Sequence, residues 1–112
     1  MKCFWKRQEK MFKKLNEKVV CADGFTMSVQ AGKTQYCTPR ENDAESYTEV
    51  EVGFPNREEP MLRQYAEDPS NLTSTVYAWV PRQTVVNVIA KHGGMLSGEL
   101  PAGFPLLMVN QS

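Results

Sequence analysis

The chain has no apolar run approaching the about 20 residues that cross a bilayer as a helix. Its first residues are basic but lack an apolar core, so no secretory signal is expected. There is one histidine, His92, so any imidazole chemistry must use that ring. The three cysteines, Cys3, Cys21 and Cys37, form no close pair. An odd, scattered set excludes a disulfide framework and fits a reducing compartment. No internal repeat and no low-complexity tract occurs. The phosphate-loop motif is missing as well. Gly32-Lys33-Thr34 looks like its end, but the required upstream glycine is Met27.

What is present suits one soluble α+β domain. With 112 residues, a single core can form without covalent staples. Net charge is zero, with 13 basic and 13 acidic residues, but the two signs are separated. Residues 1–18 hold seven Lys/Arg against two Glu, and the remainder holds six against eleven Asp/Glu. An acidic body argues against broad nucleic-acid binding by the main domain.

The most ordered stretch runs from Ser74 to Gly94. Thr75 to Val80 is β-branched and aromatic, which suits a strand. Val76, Ala78 and Val80 alternate with Thr75, Tyr77 and Trp79, and both sets are largely apolar. That pattern predicts a central strand covered on both faces. Pro81 stops the ladder and opens a helix over 81–92, with Val85, Val86, Val88 and Ile89 inward. Lys91 and His92 sit in its last turn, and Gly93-Gly94 end it.

Upstream, Asp23-Gly24 between Lys18–Ala22 and Phe25–Gln30 predicts a hairpin. Thr34–Thr38 is expected as a short third strand. Tyr47–Phe54 is expected as a half-exposed one, with Val50, Val52 and Phe54 inward and Glu49 and Glu51 in water. Residues 56–73 lack a clear period and read as a long loop. Phe4, Trp5, Met11, Phe12 and Leu15 share a helical face in residues 2–17, with lysines elsewhere. The expected organisation is a basic amphipathic N-terminal helix (1–18), an α+β core (19–94) and an extended tail (95–112), with 106–109 a candidate short strand. The sheet is antiparallel, with about four to five short strands and helix 81–92 on one face.

The phrases ADGFTMSVQA, QYCTPRE, EVEVGFP, YAEDPSN, TVYAWVP and IAKHGG, spanning residues 22–94, are similar to small accessory proteins of tailed bacteriophages and prophages. The resemblance implies a protein made in the host bacterial cytoplasm. It carries no catalytic residue onto this chain.

Candidate chemistry is thin. Cys21, Cys37 and His92 lack the paired spacing of a zinc site. Cys37 and His92 together offer a nucleophile and a base. The plain roles are buried thiols and a helix-end histidine held by the dipole. No cofactor or metal is expected. Arg40, Glu41 and Asp43 make one charged loop, and Glu58, Glu59, Glu67 and Asp68 another. These carboxylates lack an EF-hand register, and their plain role is a solvated face. If the Tyr77/Trp79 side of the sheet is uncovered, it becomes an aromatic partner surface. The expected partner-binding residues are Tyr36, Arg40, Glu58, Glu59, Tyr65, Glu67, Asp68, Tyr77 and Trp79. The functional expectation is a non-catalytic protein binding a host, phage or defence-system protein. Residues 2–18 are available for nucleic-acid or membrane-surface contact. The alternatives are a minor virion or assembly component, and a small enzyme using Cys37 and His92.

Overall fold

In the computed structural model, which describes residues 15–109, Asp23-Gly24 turns the chain between two strands as the sequence predicts. These are β1 (Val19–Cys21) and β2 (Thr26–Gln30). Gly24 has φ +93°, a conformation natural to glycine. The Asp23 carboxylate closes the turn by accepting the Phe25 N–H at 3.0 Å. β3 (Glu49–Gly53) pairs with β2, and β4 (Val76–Pro81) pairs with β3, all antiparallel. Helix α1 (Arg82–Lys91) then returns the chain across the sheet to β5 (Met95–Ser97), which joins β1 at the opposite edge. The strand order is β4-β3-β2-β1-β5.

One face of this sheet is the core. Val19, Met27 and Val29 of the hairpin meet Val50 and Val52 of β3, and Val85, Val88 and Ile89 of α1 close over them. Period-2 alternation in the strands and the 3.6-residue period in α1 produce these two matching apolar surfaces. The helix starts one residue later than expected, with Pro81 both ending β4 and capping α1.

Several expectations require correction. β4 is an edge strand, not a central one. Its two apolar sets do not reflect two covered faces. Val52 pairs with Tyr77 and Val50 with Val80, so Glu51 alone opposes both Ala78 and Trp79. This bulge adds one residue to β4. It turns Tyr77 and Val80, which simple alternation puts on opposite faces, into the same core. Trp79 takes a left-handed φ of +47° and is left 43% exposed. Tyr77 is buried, and its hydroxyl donates to the Leu72 carbonyl.

The free side of β4 is blunted. Glu67 N–H donates to the Val76 carbonyl at 3.0 Å, and Trp79 N–H to the Tyr36 carbonyl at 3.1 Å. Covering an edge in this way suppresses pairing with other chains.

Phe54 was expected inward. It has φ +48° and is 52% exposed, because the chain leaves the ladder there. Thr34–Thr38 forms no strand; only Thr38 bridges to Glu49. The turn-rich segment closes on itself too tightly for a ladder. The sheet also runs past residue 94 through β5, whereas 106–109 contributes a single bridge, Met108 to Met95. Within the long loop, Arg63–Tyr65 makes one 3₁₀ turn.

The expected N-terminal helix lies, through residue 14, outside the described residues. Residues 15–18 are irregular, and Leu15 is 61% exposed. Asn16 anchors this entry to β2 by hydrogen bonds with the Gln30 side chain and the Val29 carbonyl.

Glycine positions give a direct test of backbone closeness. At Gly98, φ is +113°, and an added Cβ would lie 2.5 Å from the Lys18 oxygen and 2.6 Å from the Val19 Cα. At Gly24 an added Cβ would meet nothing within 4 Å. Gly24→Ala should therefore cost only the conformational term, about 1 kcal/mol. Gly98→Ala should cost clearly more, because the β1 backbone must move. Urea unfolding of both variants checks the order, and equal losses would contradict it.

Candidate functional site

Two side-chain constellations stand out. The first is built on His92 at the end of α1. Its Nδ1 lies 2.6 Å from Asp23 Oδ2, and its Nε2 lies 2.7 Å from Glu59 Oε1. Each ring nitrogen thus faces a carboxylate oxygen within hydrogen-bond distance. Phe25 stacks on the imidazole at 4.1 Å with the rings 8° from parallel. Arg57 lies over Phe25 at 5.9 Å and pairs with Asp23 at 3.2 Å. Lys91 reaches Glu59 Oε2 at 2.9 Å, and the Met61 N–H donates to that oxygen, also at 2.9 Å. The group thus joins the hairpin turn, the loop after β3 and the helix end.

Glu59 is the surprise of this cluster. It was expected on a solvated acidic face, yet its side chain is 1% exposed. Burial alone disfavours its charge, but the Met61 N–H, Lys91 and His92 together hold its carboxyl below the ordinary value. Asp23 is also held low, first by the His92 hydrogen bond and then by the Phe25 N–H. Sequence reasoning missed both partners. Asp23 read only as a turn residue, and sequence separations of 69 and 33 residues from His92 carry no periodic signal.

Of the described thiols, neither Cys21 nor Cys37 hydrogen-bonds into this group. Burial, reinforced by the Asp23 charge, pushes the Cys21 thiol up to about 11, which leaves it protonated and unreactive at neutral pH. Cys37 accepts the Gly32 N–H at 3.3 Å and donates toward the Gly32 and Pro39 carbonyls. No hydrogen bond joins Cys37 to His92, whose two nitrogens already face carboxylates. Among the described residues, no group of His, Cys, Asp and Glu has the arrangement of a metal site.

The second constellation is on the surface. Tyr36 and Trp79, 37% and 43% exposed, pack at a 5.1 Å centroid distance with a 40° tilt. The Arg40 guanidinium sits 5.7 Å over the Tyr36 ring. Glu51 Oε2 accepts the Tyr36 N–H at 3.1 Å, and Glu49 Oε1 accepts the Thr38 hydroxyl at 2.7 Å. These bonds hold Tyr36 and Thr38 beside the outward carboxylates of β3, while Ala31 and Cys37 of the same segment are buried in the core.

Of the nine residues expected to bind a partner, the structure brings Tyr36, Arg40 and Trp79 together. Tyr77 and Glu59 are buried and are not available as surface contacts. Tyr65 packs partly against the core. Glu58 and Glu67 are exposed, and Asp68 is held within its own turn by Ser70 and Asn71. The expected acidic cluster of Glu58, Glu59, Glu67 and Asp68 does not form one surface, because Glu59 turns inward and Asp68 inward to its turn.

An apolar cleft of about 290 Å³ lies at the other end of the sheet, lined by residues including Met95, Leu100, Phe104 and Leu107. No helix among the described residues is long and apolar enough to cross a membrane. Comparison with known proteins finds no match, whether to a family model, a curated sequence or a solved structure.

The two carboxylates of the His92 cluster contribute to the acid limb of stability. Both carboxylates have lowered folded-state values, from ordinary values of 3.8 for Asp23 and 4.5 for Glu59. Their contribution is therefore complete above those ordinary values and is lost as pH falls through the folded ones. Asp23→Asn/Glu59→Gln should flatten the loss of stability between pH 5 and pH 2, compared with wild type, in chemical unfolding across that range. An unchanged acid slope would show that the two carboxylates do not control it. Separately, His92→Leu should cost about 3 kcal/mol, because it leaves Oε1 of the buried Glu59 without its partner while Lys91 and the Met61 N–H hold only Oε2. A loss well under 1 kcal/mol in urea unfolding would contradict that reading.

Proposed function

We propose that this chain is a non-catalytic accessory protein that docks on a partner protein through Tyr36, Arg40 and Trp79. One observation carries the reading: Trp79 is held outward on a bulge in a left-handed conformation, packed at a tilt against a second exposed aromatic ring. A bulky residue in that region is strained, and such strain is concentrated at functional positions. Tryptophan, tyrosine and arginine are also the residues that dominate protein interfaces when they become buried. Holding the two rings together beforehand lowers the ordering cost of association.

The phage-like phrases supply the context of this proposal. The partner is a host or defence-system protein met in the bacterial cytoplasm, as in host takeover or counter-defence. Contact with nucleic acid or a membrane surface through basic residues 2–18 belongs to the same proposal.

A second reading, a minor virion or assembly component, is favoured by a different observation. The apolar cleft and the exposed Leu106 and Met108 beside it offer a further surface for assembly. Mass spectrometry of purified particles separates the two readings.

Trp79→Ala tests the first. It should change unfolding stability by no more than about 1.5 kcal/mol, the scale of one aromatic pair. It should weaken recovery of the partner by at least about tenfold in parallel affinity purifications, as expected of an interface anchor. Equal recovery by wild type and variant would sink the assignment of this surface.

A further inference from the structure

We infer that the Tyr36–Trp79 surface receives an arginine side chain from a basic segment of the partner, with Glu49 and Glu51 as its counter-charges. This inference rests on the reading of Trp79 as a docking anchor and adds the chemistry of what docks.

Exposed aromatic rings alone would fit many apolar partners; the charges beside them narrow the choice. Glu51 stands opposite Ala78 and Trp79 across the bulge, and Glu49 lies two residues along the same strand, opposite Pro81. Val50 and Val52 face the core, so period-2 alternation sends Glu49 and Glu51 to the outer face that Trp79 shares. Both carboxylates are already positioned. One oxygen of Glu51 is fixed by the Tyr36 N–H and one of Glu49 by the Thr38 hydroxyl. Each leaves its second oxygen without a hydrogen bond among the described residues. Residues 41–51 contain five acidic side chains and no basic one. Outward carboxylates beside the rings, as Glu49 and Glu51 are, repel phosphate groups and attract cations.

Among the described residues, Arg40 is the cation in contact with these rings, and its guanidinium occupies a face of Tyr36, so an aromatic ring of this pair accepts that group. Trp79 has no such cation among the described residues. A planar guanidinium can stack on an indole and bond a carboxylate edge-on at the same time, which an ammonium does less well. The partner group that meets both the ring and the carboxylates is therefore an arginine.

The test uses full-length protein carrying Trp5→Phe, which leaves Trp79 as the only tryptophan. The probe is a capped peptide of three arginines spaced by glycine, with a citrulline peptide of the same length as its neutral counterpart. The arginine peptide should change Trp79 fluorescence saturably at low ionic strength and bind more weakly as salt rises. The citrulline peptide should bind at least about tenfold more weakly, since it keeps the shape and loses the charge. Glu49→Gln/Glu51→Gln retains acceptors for Thr38 and Tyr36, so the loop stays in place, and it should weaken arginine-peptide binding similarly. Equal binding of the two peptides, or no effect of the double substitution, overturns the inference. If Trp79→Ala abolishes partner recovery while the arginine peptide fails to bind, the docking surface stands and its arginine specificity is overturned. If Trp79→Ala leaves partner recovery unchanged, the underlying docking reading has failed first.

Discussion

The imidazole of His92, held between two carboxylates, is the contact on which the arrangement of this small fold depends. The core of valines, Phe25 and Met27 supplies most of the apolar burial, and that burial is non-directional. It does not by itself fix how the helix end meets the hairpin turn. The hydrogen bonds of His92 to Asp23 and Glu59 do, because they are short and charged and connect three separated segments. Phe25 and Arg57 extend the stack outward to solvent. Among the described residues, every buried side-chain nitrogen and oxygen has a hydrogen-bond partner, so the polar cluster sits inside the fold without a stranded group.

The same geometry explains why His92 is ill placed for proton transfer to Cys37. A general base needs a nitrogen aimed at its nucleophile. Here each nitrogen is aimed at a carboxylate, and Cys37 is engaged by its own turn. The cluster reads as a fastening between elements. The outward chemistry lies across the sheet, where the β4 bulge presents Trp79. One extra residue in an edge strand does two things there. It sends Tyr77 and Val80 together into the core, and it turns the neighbouring tryptophan out beside Tyr36.

Much of the fold was legible in the sequence, for reasons that can be named. Asp-Gly marked the β1–β2 turn because few residue pairs accept its backbone angles. Alternation marked β3, where Val50 and Val52 are buried and the glutamates are not. Pro81 and Gly93 bracketed the helix. Phe54 and Trp79 escaped because each sits at a positive φ that breaks alternation, and neither is a glycine that would have signalled it. The edge position of β4 escaped because its apolar character came from a bulge and an aromatic surface rather than from two covered faces. Tyr36, Arg40 and Trp79 were all among the expected partner-binding residues, Trp79 on the condition that its side of the sheet is uncovered. Their meeting in one place was not visible, since Tyr36 and Arg40 lie in a loop docked about 40 residues away along the chain.

Local chemistry, then, determined which segments turn, extend and coil, since backbone preference and periodicity act over a few neighbours at a time. It also determined that the chain has a single imidazole and three scattered thiols. Only the tertiary structure decided who faces whom. It placed Glu59 inside against His92, Trp79 outside beside Glu51, and β5 on the far edge from β4. Those choices follow from strand order and from one irregularity in register, and both are set by the packing of distant segments.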